Sequence, residues 1–137
     1  MGEIDFFQQD KFHEECGVFG VINVQNASEV IYYGLHALQH RGQEGAGIIT
    51  SDGVTLNLYK GEGLVNEVFN EDILEKLKGT KGIGHVRYST TGGGGLSNVQ
   101  PFLFRHHTND FGLCHNGNLV NYRELRMYLE NEGSIFQ

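Results

Sequence analysis

The chain has 137 residues, 39% apolar and 20% charged, in keeping with one modest globular domain. Lys and Arg total 10 against 17 Asp and Glu, a net charge of -7, so the basic footprint that nucleic acid or an anionic membrane demands is missing. The longest apolar runs are strand-length and residues 1–15 lack the basic start and apolar core of a secretion signal, which leaves no predicted membrane span and makes the cytoplasm the default compartment.

Residues 16–23 (CGVFGVIN) are rich in Val, Ile and Phe and predict a largely buried strand. Asn26 with Glu29 three residues on has the form of a capping box. It would open a helix with Val30, Ile31, Leu35 and Leu38 on its apolar face, ended by the glycines after Arg41. AGIITSDG and VTLNLYKG read as two strands joined by a hairpin at Asp52-Gly53. Asn70 opens a short helix, NEDILEKLKG, that Gly79 closes. GIGHVRYS reads as a strand, TTGGGGLSNVQPF as a loop, and FGLCH as a strand running into a turn at Asn116-Gly117. Asn121 and Glu124 cap a last helix that reaches Glu132 and stops at Gly133. Hairpins in place of regular βαβ units predict an α+β fold, helices layered on antiparallel sheet. The final SIFQ reads as the start of another element, so the chain is expected to stop within a fold.

Two cysteines are too few for a disulfide scaffold, so Cys16 and Cys114 each need a separate account. A free cysteine is commonly a small core residue, which suits Cys114 inside its apolar strand and is open to Cys16 as well. Cys16 has a second reading. Cleavage of the Glu15–Cys16 bond would set its thiol beside a free α-amine, whose ordinary pKa is about 8. One residue would then supply nucleophile and base, and the polar residues 1–15 would be a removable leader. Arg87 is either a strand-end arginine paired with an acid or, beside a glycine-rich loop, a grip for a carboxylate or phosphate. Asn116 and Gly117 form either a type I′ turn or an oxyanion hole, in which a side-chain amide and a backbone N–H converge on one oxygen. Arg41, in a charged cluster after the first helix, is either a solvated helix end or part of a site. His36 and His40 stand four apart, but no third ligand follows at metal-site spacing and no paired CxxC is present, so no zinc site is predicted.

In this order, ECGVFG, HRGQEGAGI, IGHVRYSTTG, QPF and HNGNL resemble the glutaminase domain of the class II (N-terminal nucleophile) glutamine amidotransferases. HRGQE, VRYSTTG and the later QPF are most similar to the branch that works in purine synthesis. The resemblance covers residues 16 to 133. It implies a four-layer αββα sandwich, of which residues 16–137 would be the N-terminal part. It implies that Cys16 attacks glutamine, with Asn116 and Gly117 as the oxyanion pair. Arg87 would hold the glutamine α-carboxylate, Thr90 would line the same pocket and Arg41 would lie in a mobile region near the nucleophile. An aspartate that grips the α-amino group follows further along in relatives, beyond the last residue here. At full length the resemblance implies ammonia transfer to phosphoribosyl pyrophosphate on a second domain, with magnesium, in some relatives a 4Fe-4S cluster, and assembly as a homo-oligomer, a tetramer. Two cysteines cannot hold such a cluster, so no cofactor or metal is expected in this segment. Two other readings stand beside this one: the glutaminase domain of another class II amidotransferase, or a non-catalytic glutamine-binding module.

Overall fold

A computed structural model describes residues 16–39, 43–88, 95–117 and 119–135. Strand β1 (Gly17–Val21) leads into helix α1 (Ala27–Leu38), then β2 (Gln43–Ser51), β3 (Leu56–Glu62) and the short helices α2 (Val65–Val68) and α3 (Glu71–Lys76). Strand β4 (Lys81–Tyr88) follows, then a 3-10 turn (Leu96–Asn98), β5 (Phe102–Phe104), β6 (Phe111–Leu113) and α4 (Tyr122–Asn131). The first four strands form one antiparallel sheet in the order β1-β4-β2-β3, and β5 pairs with β6 in a second.

Side chains on a strand alternate between faces, and this alternation separates the core from the site. Ala46 pairs with Val86 and Ile48 with Gly84, and these positions face α1. There Ile31, Leu35, Ala46, Ile48 and Val86 are wholly buried and form one cluster with Val65, Val68 and Phe69. Each aliphatic side chain of this size buried from water contributes about 1.5–3 kcal/mol. Gly84 lets the helix settle on the sheet: a Cβ there would lie 2.4 Å from Ile31 Cγ2. The opposite face, where Ile49 pairs with Ile83, carries the second sheet, with Gly112 of β6 against both side chains. The layers are therefore α, β, β, an α+β arrangement, and α4 follows in the chain with none of its residues buried.

The hairpin at Asp52 forms as expected, with a four-residue loop closed by Ser51 opposite Leu56. The Asp52 carboxylate accepts from the N–H groups of Val54 and Thr55, at 2.9 and 2.7 Å, and those bonds hold its pKa below the ordinary value. Asn70 caps α3 by accepting from the Ile73 N–H at 2.9 Å.

Five expectations need correction. Asn26 does not cap α1 with its side chain: its backbone is left-handed, φ 53°, and the Ala27 N–H is bonded to Gly79 O instead. Val30 is exposed, so Ile31 and Leu35 carry the buried face of α1. The helix ends at Leu38, before Arg41, and Gly45 and Gly47 lie inside β2, not in a loop. Strand β5 and helix α2 occupy segments with no expected element. Neither Asn116 nor Gly117 is among the described residues with positive φ, which excludes a type I′ turn.

Candidate active site

Strand β4 is the centre of the site because it lies between β1 and β2. Val86 faces α1, so His85 and Arg87 face the other side of the sheet. Cys16 stands one residue before Gly17, which pairs with Val86, and so lies across from Arg87 in register. Its thiol donates to Tyr88 O at 3.6 Å, and the sulfur accepts from the Tyr88 N–H at 3.3 Å. Two contacts to the backbone of one residue thus fix the half-buried sulfur at the end of β4.

Arg87 is largely covered. Its ion-pair partner among the described residues is Glu44, with Nη1 3.9 Å from Oε2, beyond hydrogen-bond length. Glu44 is itself well exposed, so the pair is a loose ion pair at the strand ends. His85 is wholly buried, and among the described residues neither ring nitrogen makes a well-formed hydrogen bond. Burial pushes its pKa down to about 4, opposed in part by the backbone of His115 and reinforced by the charges of His115 and Arg87. The ring is neutral at physiological pH.

Residues 99–101 cover this face. Gly47, paired with His85, is the contact point: a Cβ there would lie 2.2 Å from Gln100 O and 2.9 Å from Pro101 Cδ. The Lys60 ammonium donates to Val99 O at 2.6 Å and sits 5.4 Å from the centre of the Phe102 ring. Burial lowers the Lys60 pKa. Gln100 is buried, and its Oε1 accepts from the His115 N–H at 2.7 Å. That bond brings the stretch containing Asn116 and Gly117 to the sheet. A Cβ on Gly117 would meet nothing within 4 Å.

The structure therefore gathers Cys16 and Arg87 at adjoining strand ends and tethers Asn116 and Gly117 beside His85. No hydrogen bond joins Cys16 to Asn116 or Gly117 among the described residues. Thr90 and Arg41 lie outside the described residues, as does the leader at residues 1–15. Cys114 lies half-buried under the sheet, its thiol 3.8 Å from Gly84 O, and burial raises its pKa, as suits an unreactive thiol. Sequence reasoning missed Gln100, His85 and Lys60; the Gln-Pro pair after the glycine loop was the available signal. Among the described residues no group of three or more His, Cys, Asp or Glu could hold a metal ion. Among them, too, no helix is long and apolar enough to cross a membrane.

The chain belongs to the class-II glutamine amidotransferases, whose family description matches residues 16–132. It is 59% identical over 126 residues to an amidophosphoribosyltransferase of Bacillus subtilis (strain 168), covering 91% of this chain and 26% of that protein. It is 51% identical over 131 residues to an amidophosphoribosyltransferase of Staphylococcus aureus (strain Mu50 / ATCC 700699), covering 95% of this chain and 26% of the relative. Among solved structures it is similar to one described as the allosteric regulatory enzyme of purine biosynthesis, with TM-score 0.82 and 58% identity over 88% of this chain and 26% of that one. The glutamine phosphoribosylpyrophosphate amidotransferase from B. subtilis, solved with ADP and GMP, gives TM-score 0.79 and 55% identity, again over 88% of this chain and 26% of that one. The chain thus spans about a quarter of the length of the relatives it matches, and its fold is the N-terminal-nucleophile α+β type.

Proposed function

We propose that this chain is the glutamine-hydrolysing part of an amidophosphoribosyltransferase. The observation that carries the reading is Cys16 at the mouth of β1, across from Arg87, at the residue where the family match begins. In this reading removal of residues 1–15 frees the Cys16 α-amine. The Arg87 guanidinium takes the glutamine α-carboxylate in two parallel hydrogen bonds, with Thr90 and Arg41 alongside. The amine takes the thiol proton, and the sulfur attacks the side-chain amide carbon. The resulting oxyanion accepts from the Asn116 side-chain amide and the Gly117 N–H. Collapse breaks the C–N bond, returns the proton to the leaving group and releases ammonia, leaving a γ-glutamyl thioester. Water, deprotonated by the same amine, attacks the thioester and frees glutamate and the thiol.

The ammonia would convert phosphoribosyl pyrophosphate to 5-phosphoribosylamine in purine synthesis, on a second domain of a cytoplasmic homo-oligomer. Magnesium would assist that second reaction. The residues here do not fit a 4Fe-4S cluster, since two cysteines cannot supply four thiolates, and no step is derived through either group. The test is ammonia release from glutamine by the full-length protein. Cys16→Ser should abolish it and leave the circular dichroism spectrum unchanged. A substantial residual rate in that variant would remove Cys16 as nucleophile.

A further inference from the structure

The turn at residues 115–117 has little to hold it. Pairing of β5 with β6 ends at Phe102 and Leu113, so the sheet ladder stops before the turn begins. Among the described residues, no backbone–backbone hydrogen bond involves residues 114–117. What remains is the weak Cys114 thiol contact at 3.8 Å, the interaction of the His115 backbone with the His85 ring, and the 2.7 Å bond from the His115 N–H to Gln100 Oε1. Gln100 can serve as a fixed post because it is itself clamped. It is buried, its carbonyl rests against Gly47, and the carbonyl of the preceding Val99 accepts from Lys60 at 2.6 Å. The chain of contacts therefore runs from β3 through Lys60 and residues 99–100 to the turn. His85, buried in β4, is a second neighbour of the turn, and the His115 backbone acts on its ring.

We propose that Gln100, anchored by Lys60, is a positioning residue that sets where Asn116 and Gly117 stand relative to the sulfur of Cys16. The proposal rests on the reading of those two residues as oxyanion donors. Gln100 touches neither substrate nor the reacting atoms; it acts through the His115 amide. Loss of the acceptor frees the turn, and a misplacement of about 1 Å costs on the order of 10²-fold in rate. Glutamine binding, assigned to Arg87 on a different strand, is untouched.

Two probes of the thiol separate this role from a merely structural one. Glutamate γ-semialdehyde adds to a thiol and forms a tetrahedral adduct with an oxyanion. Iodoacetamide alkylates the same thiol at a saturated carbon and forms none. In the full-length protein, Gln100→Met should lower kcat for glutamine hydrolysis roughly 10- to 100-fold with KM little changed. It should weaken inhibition by the aldehyde by a similar factor and leave the iodoacetamide rate at the wild-type value. Gln100→Glu, which keeps an acceptor at the same atom, should recover most of the loss. Lys60→Met should show the same selective pattern at a smaller size, and carries the test if Gln100→Met does not fold. Unchanged kcat in both variants, or equal losses with both probes, would overturn the proposal. If the aldehyde does not inhibit the wild-type protein while Cys16→Ser stays active, the thiol reading fails and the proposal falls with it.

Discussion

Gly47→Ala tests how the cover over the site is built. A Cβ at position 47 would lie 2.2 Å from the Gln100 carbonyl oxygen and 2.9 Å from Pro101 Cδ. Ordinary van der Waals contact begins at 3.4 Å, so the backbone of residue 100 must retreat by 1.2 Å or more. The obstacle is backbone, not the end of a flexible side chain, and β2 cannot yield because it pairs on both sides. Overpacking of this kind costs about 1–3 kcal/mol of stability. The displaced residue is the one that accepts from His115, so a shift of about 1 Å should also cost on the order of 10²-fold in glutamine hydrolysis. Gly20→Ala is the control, since its nearest neighbours would be 3.7 Å away. Ammonia release and thermal denaturation of the two variants, measured side by side, decide the matter. A Gly47→Ala protein with wild-type melting and rate would refute the packing of residues 99–101 on β2.

Arg87→Ala should raise KM for glutamine roughly 10- to 100-fold, the worth of a charge-assisted hydrogen-bonded pair, with a smaller change in kcat; an unchanged KM removes Arg87 from the carboxylate role. His85 gives a pH dependence of defined sign. An unfolded histidine takes a proton near 6.5, but burial holds folded His85 neutral down to about 4. Its contribution to stability is therefore full above 6.5 and is lost as pH falls towards 4, reaching a loss of roughly 2 kcal/mol near pH 5. Chemical denaturation of wild type and His85→Gln near pH 7.5 and pH 5 should show the wild type losing about that much more; equal losses would contradict a neutral buried ring.

The strands that carry the candidate site were legible from the branched and aromatic residues spaced along them: Val18, Phe19 and Val21 in 17–21, and Ile83, Val86 and Tyr88 in 81–88. The register that sets Cys16 across from Arg87 was not, because it joins residues more than 70 positions apart through a sheet that the intervening β2 completes. Helix α2 is four residues long, and its sequence, VNEV, has no period to read. Its start is fixed by Glu67 accepting from the Leu64 N–H at 2.7 Å and Gln39 accepting from the Val65 N–H at 2.8 Å, one contact local and one not. Strand β5 is hidden for the same reason: three residues, FLF, gain strand character only from β6. Asn26 shows the reverse error. The local pattern for a side-chain cap was present, but the link from β1 to α1 turns through a left-handed residue, and asparagine tolerates that conformation. Gln100 stood out only as part of the Gln-Pro pair; its bond to His115 was not legible, since that partner is 15 residues away. Thr90 and Arg41 rest on the family resemblance alone.

The central claim is that Cys16, as the first residue of a processed chain, attacks glutamine. The direct measurement is the mass of the protein after incubation with a glutamine analogue bearing an electrophilic ketone, followed by peptide mapping. The account predicts one adduct per chain, on a Cys16 that begins the polypeptide with a free α-amine. An unlabelled protein that binds the analogue reversibly, or an adduct on Cys114, would contradict it and leave a glutamine-binding module without the chemistry.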